Sequence, residues 1–157
     1  MLVAPHEISE TNLRLVEEAL PGQVVRYSKA DAATVAQARI LLFDNVGLLS
    51  QLYRFGKYAY IGGAFGKGLH NTLEAAAFGL PLFFGPTYAK FQEAIELVEL
   101  KCAFPVHNAA ELETAFRYLW EHEDARLRLQ DTMLDYVHEQ AGATNTIMAA
   151  LPGLTNS

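Results

Sequence analysis

The chain has a single cysteine, Cys102, so no intrachain disulfide can form and a reducing compartment suits it. No apolar run approaches the ~20 residues that a membrane span requires, and the opening Leu2-Val3-Ala4 is expected to be a strand rather than part of a signal peptide. Positive charge is scarce: 12 basic residues stand against 18 acidic ones, giving a net charge of −6 with no basic run, which argues against a nucleic-acid binder. His107, His122 and His138 are scattered without metal-ligand spacing and there is no Asp-x-Asp pair, so no metal is expected. What remains is 51% hydrophobic and 19% charged, the balance of a folded globular chain, and 157 residues are enough for one domain with its own core.

Glycine is concentrated where the rest is organised. Tyr58-Ala59-Tyr60-Ile61 is aromatic and β-branched and predicts a strand. Gly62, Gly63, Gly66 and Gly68 follow, a run that lets backbone take positive φ and approach a ligand. Asn71 to Phe78 predicts a helix with Gly79 at its C-terminal cap, and Leu80 to Phe84 a second apolar strand. A loop ending at a helix N-terminus suits an anion. It is not a P-loop, because Ile61 stands where a glycine is needed and Gly68 where Ser or Thr should follow Lys67. Nor is it a dinucleotide fingerprint, since Asn71 stands where a small residue belongs. A glycine-rich turn without a ligand is the bland alternative.

Around this unit, strand-like and helix-like segments alternate. Strands are predicted at Leu2 to Ala4, Val24 to Tyr27, Ile40 to Phe43 and Cys102 to Val106, in addition to the two above. Helices are predicted from Ser9 to Leu20, Val46 to Tyr53, Ala89 to Leu100, after an Asn108/Glu111 capping box, and from Asp124 past Val137, with Gly142 interrupting the last and Leu151-Pro152-Gly153 ending it, while Asp31 to Ala38 reads as a short helix or a loop. Met133 and Trp120 are expected in the core. The alternation predicts an α/β fold, a doubly wound, Rossmann-like parallel sheet of six strands in the order 3-2-1-4-5-6 with helices on both faces. Ligands of such sheets sit beyond the C-terminal strand ends, where His6-Glu7, Ser28, Asp44-Asn45, the Gly62 to Asn71 loop and Thr87 fall.

Glu74 is four residues after His70 and three after Asn71, so the three can share a face. A carboxylate there can accept from both hydroxyls of a ribose, or merely favour a helix start; between apolar neighbours it needs a partner in either case. His70 reads as cap, phosphate ligand or structural histidine, and Lys67 as phosphate partner or solvated lysine. Asp44 at a strand end suggests a phosphoacceptor of a flavodoxin-like signalling module, but the first strand ends in Pro5-His6 where an acidic pair should stand.

Five segments carry a family likeness: Gly62-Gly63-Ala64-Phe65, Gly68-Leu69-His70-Asn71-Thr72-Leu73-Glu74-Ala75, Gly79-Leu80-Pro81, Gly85-Pro86 and Lys90-Phe91-Gln92-Glu93. With Pro5-His6-Glu7 and Asp44-Asn45-Val46-Gly47 at earlier strand ends, the chain resembles, over roughly residues 1 to 107, the C-terminal half of bacterial 3-deoxy-D-manno-octulosonic acid (Kdo) transferases. Ala64 replaces the family's serine, Ala75 its proline and Lys90 its asparagine; the first removes a hydroxyl near the expected phosphate, where a backbone N–H would serve instead.

The resemblance implies one half of a two-domain (GT-B type) glycosyltransferase of lipopolysaccharide synthesis, with residues 1–157 as a single donor-binding domain. It implies CMP-Kdo as donor, a lipid A precursor as acceptor, inversion without a metal, and no cofactor. The donor-binding residues would be His6, Gly62, Gly63, Ala64, Phe65, Lys67, Gly68, His70, Asn71 and Glu74. The catalytic base and acceptor site would lie in an N-terminal half-domain absent from this chain. The protein would be cytoplasmic, with the full-length enzyme at the cytoplasmic face of the inner membrane. A UDP-sugar transferase or epimerase is the competing enzymatic reading.

Overall fold

A computed structural model describes residues 1–142 other than Pro21, Gln23, Val46 and Lys67. The helix interruption and stop expected beyond Gly142 therefore lie outside the described residues. The chain divides into two compact units, Met1–Leu52 and Tyr53–Ser157.

In the first unit the order is β1 (Leu2–Val3), α1 (Glu10–Ala19), β2 (Val24–Arg26), a 3-10 turn (Tyr27–Lys29), α2 (Ala32–Gln37), β3 (Ile40–Leu42) and α3 (Leu49–Leu52). Ser9 caps α1, its side chain accepting from the Asn12 N–H, and Asp31 and Thr34 form a reciprocal capping box on α2. The three strands pair in parallel in the order β1-β3-β2, with Leu2 opposite Leu41 and Val25 opposite Leu41 on the other edge.

That order corrects the expected 3-2-1. The centre goes to β3, the most buried of the three, with Ile40 at 9% and Leu42 at 0% exposure while Leu2 of β1 is 42% exposed. Strand β2 ends in Arg26, whose guanidinium must reach the carboxylates of α1, which suits an edge. Its Nη1 and Nη2 donate to Glu10 at 2.7 and 3.0 Å, and its Nε and Nη2 to Glu17, both at 2.8 Å.

The Arg26 hydrogen bonds, joined by those from Arg14, hold the Glu10 carboxyl at about 2, and Arg26 likewise holds Glu17 below the ordinary range. Unfolded glutamate titrates near ~4.3. The stabilisation is thus complete above that pH and is lost as pH falls through the folded values. Denaturant titrations of the parent and Arg26→Met should show a parental advantage at pH 7 that shrinks steadily toward pH 3. An advantage independent of pH would show that Arg26 acts by packing alone.

In the second unit a 3-10 turn (Tyr53–Phe55) leads to β4 (Ala59–Ile61), α4 (Leu73–Ala76), β5 (Leu82–Phe84), α5 (Gln92–Glu99), β6 (Ala103–Pro105), α6 (Ala109–Glu121) and α7 (Glu123–Gln140). The strands are parallel in the order β4-β5-β6. Central β5 is buried on both sides, as an unbroken Leu-Phe-Phe run requires. On one face Leu82 and Phe84 join Ala75 and Ala76 of α4, Ala94 and Leu97 of α5, and Met133 and Tyr136 of α7. On the other, the cross-strand row Tyr60, Phe83, Phe104 meets α6, with Phe83 and Phe104 stacked at 5.4 Å and Phe116 at 6.3 Å from Phe83.

Helices therefore lie on both faces, and every strand pairing among the described residues is parallel. The expected single six-stranded sheet is instead two three-stranded sheets, since strands of two or three residues form short ladders and each ladder lies within one unit. Met133 is in the core as expected. Trp120 is not: it is 65% exposed at the rim of α6, stacked on Phe116, while Leu119 fills the inward position. The capping of α6 holds, with Asn108 Oδ1 accepting from the Glu111 N–H, although the Glu111 carboxylate reaches back one residue further, to the His107 N–H.

Candidate functional site

The glycine loop runs from the end of β4 to the start of α4 and is folded against itself. The Gly66 N–H donates to the Gly63 carbonyl at 2.9 Å, making a tight turn, and the His70 N–H donates to the Gly62 carbonyl at 3.2 Å, closing the loop's base. Gly63 sits at φ +91°, and a Cβ built there would lie 2.2 Å from the Gly68 carbonyl oxygen and 3.1 Å from the His70 ring. The close approach that demands glycine at 63 is thus made by the loop's own backbone, where the sequence pattern pointed to a ligand. Gly62 is unlike it: an added Cβ would meet only the His70 Cδ2, at 3.7 Å.

A staple to the segment after β5 fixes the far side of the loop. The Thr87 N–H donates to the Ala64 carbonyl at 2.9 Å, and Gly85 lies so close beneath that a Cβ there would be 2.8 Å from the Ala64 carbonyl carbon. Ala64 is 1% exposed, so its methyl points into the core, whereas the next residue, Phe65, is 57% exposed. Gly68 packs against the Phe91 ring, at 3.2 Å from the position of its missing Cβ. His70 is exposed, with its ring against the Gly62–Gly63 backbone. Lys67 lies outside the described residues.

Helix α4 is a single turn, shorter than the Asn71 to Phe78 segment expected. It starts later because Asn71 is spent in a turn ahead of the Thr72 cap position: Asn71 Oδ1 accepts from the Leu73 N–H at 3.0 Å. It ends at Ala76, and the turn after it closes at Gly79, which takes φ +67° and leaves no room for a Cβ against Gln130 of α7, 2.7 Å away. One turn carries little of a full helix dipole, so an anion at this loop would depend on loop amides and on side chains.

Asn71 and Glu74 are brought together: the Asn71 amide donates to Glu74 Oε1 at 3.0 Å. Glu74 is half-buried, which supplies the partner that a carboxylate among apolar neighbours requires. Of those neighbours Ala75 and Ala76 are fully buried, while Leu73 and Ala77 face solvent. The Tyr53 phenol, in the turn ahead of β4, is pushed up by its burial and then by the Glu74 charge. Sequence reading missed Tyr53, because a residue at the end of a short helix gives no sign of which loop it faces. It also missed Thr72, fully buried with no hydrogen-bond partner for its hydroxyl among the described residues.

His6 belongs to the first unit, where it follows β1 and is exposed. Asp44, in that unit too, accepts from the Ser28 N–H at 3.0 Å and from the Ser28 hydroxyl. Burial pushes its carboxyl up, but the Ser28 hydrogen bonds outweigh this and leave it below the usual range. It holds the 3-10 turn at Ser28; the capping of a helix at Val46 that the sequence offered for Asp44 or Asn45 lies outside the described residues.

Parallel strands alternating with helices place the chain in the α/β, Rossmann-like fold class. The crystal structure of the C-terminal CMP-Kdo binding domain of WaaA from Acinetobacter baumannii shares the fold with a TM-score of 0.74, covering 87% of this chain and 72% of that one at 21% identity. No protein-family model matches the chain.

Among curated proteins, the 3-deoxy-D-manno-octulosonic acid transferase of Aquifex aeolicus is 40% identical over 77 residues, 48% of this chain and 22% of that protein. The Haemophilus influenzae transferase is 31% identical over 116 residues, 72% of this chain and 27% of that protein. The Chlamydophila psittaci transferase is 30% identical over 113 residues, 69% of this chain and 25% of that protein. This chain belongs with the C-terminal half of the 3-deoxy-D-manno-octulosonic acid transferases, and it spans about a quarter of the length of the relatives it matches.

Proposed function

We propose that the chain is the donor-binding domain of a Kdo transferase and takes CMP-Kdo. The observation that carries this is the half-buried Glu74 carboxylate, fixed by Asn71 where the glycine loop leaves the C-terminal end of β4. A carboxylate is the natural acceptor for two ribose hydroxyls, and a loop of backbone amides is a natural partner for the single phosphate of CMP. The loop residues Gly62, Gly66, Gly68 and His70, with Lys67, are assigned to that phosphate and the exposed Phe65 to the outer wall.

The rest of the reaction is assigned to a longer polypeptide. Transfer to an acceptor requires both substrates held together and a group to take the acceptor proton. We assign that group and the lipid A precursor to an N-terminal half-domain, and the full-length enzyme to the cytoplasmic face of the inner membrane. A signalling role for Asp44 is disfavoured by Ser28, which occupies both its oxygens.

Calorimetric competition among nucleotides tests the donor assignment. CMP should bind and outcompete UMP and UDP. Tighter binding of UDP or UMP than of CMP would favour a UDP-sugar enzyme in its place.

A further inference from the structure

We infer that Asn71 is a positioning residue that sets discrimination for a ribose diol by locking the Glu74 carboxylate; this rests on the reading of Glu74 as the ribose acceptor. The Asn71 amide bridges two elements of opposite polarity. Its oxygen accepts from the Leu73 N–H and its nitrogen donates to Glu74 Oε1, each at 3.0 Å. Turning the amide over would set NH₂ against N–H and oxygen against carboxylate, so only one orientation satisfies both contacts. The Leu73 N–H belongs to the first residue of α4, so the amide is anchored to the same short helix that carries Glu74. A long side chain with three rotatable bonds is thereby tied to its own backbone at both ends.

The lone-pair count leaves room for a diol. An ionised carboxylate offers about four acceptor sites. Asn71 uses one, on Oε1, and two vicinal hydroxyls need two more. Asn71 makes the hydrogen bond that orients the carboxylate.

The test compares CMP with 2′-deoxy-CMP in calorimetric titrations of the whole chain and four variants: Asn71→Ser, Asn71→Asp, Glu74→Gln and the double variant Asn71→Ser/Glu74→Gln. Serine and aspartate each keep an acceptor for the Leu73 N–H, so the turn ahead of α4 survives, but neither can donate from the amide position to Glu74. The parent should prefer CMP by about tenfold, the scale of one hydrogen bond to a charged group. Glu74→Gln should bring the two ligands within about twofold of each other, and so should both Asn71 variants, with melting temperatures near the parent's. The double variant should discriminate no worse than Glu74→Gln alone, because the two residues act through one contact.

An Asn71 variant that weakens both ligands equally and keeps the parental preference would overturn the inference, since that is what a purely structural role does. So would an Asn71→Ser that binds both as the parent does. A Glu74→Gln that retains the preference, or a parent that has none, would instead remove the ribose reading of Glu74 on which the inference stands.

Discussion

Glu74→Gln is expected to weaken CMP binding by roughly 1.5–3 kcal/mol, about ten- to hundredfold, with the melting temperature close to the parent's. The substitution preserves shape and can still accept from Asn71 through its amide oxygen. What it loses is the negative charge that makes the hydrogen bonds to hydroxyls strong, and one of its two acceptor oxygens becomes a donor. The fold should tolerate this, because Glu74 is half-buried and its one side-chain hydrogen bond is within the same helix start. Calorimetry giving unchanged CMP affinity at unchanged melting temperature would remove Glu74 from the site.

The largest effect on the fold itself is expected at Gly63. Gly63→Val puts a β-branched residue at φ +91° and a Cβ where the Gly68 carbonyl stands 2.2 Å away. Backbone strain of this kind costs about 1–3 kcal/mol and forced overpacking a similar amount. A loss of about 3 kcal/mol or more follows, which for a chain of this size lowers Tm by roughly 6–12 °C. Loss of CMP binding in this variant would therefore say nothing about where the ligand lies. Gly62→Ala is the informative companion: its Cβ meets only the edge of His70 at 3.7 Å, so Tm should stay within about 2 °C. If Gly62 lines the phosphate cradle, CMP affinity should nevertheless fall. Thermal melts of the pair check the first expectation, and a Gly63→Val that melts with the parent would contradict it.

The strand–loop–helix–strand unit was legible in the sequence because its signals are local. Glycines mark the loop, alanines mark the helix face that packs on α7, and an unbroken apolar run marks β5. The spacing of Asn71 and Glu74 also predicted that they could meet, and they do. Strand order was not legible, because parallel neighbours are chosen by which strand can be satisfied on both edges, and periodicity within a strand carries no such information. Which atom crowds Gly63 was not legible for a related reason. A glycine run reports that something comes close, but not whether that is a ligand or the carbonyl of Gly68. Trp120 shows the same limit in a helix: an apolar residue one step past the inward Leu119 can lie at the rim and stay 65% exposed. The buried Thr72 hydroxyl and the Tyr53–Glu74 approach depend on tertiary placement alone.

The most direct measurement of the central claim is an NMR titration of the ¹⁵N-labelled chain with CMP. The account predicts saturable amide shifts centred on the loop and helix start, residues 62 to 74, with smaller shifts at the same positions for UMP. Saturable shifts that spare this segment, or a spectrum unchanged at high CMP concentration, would contradict it.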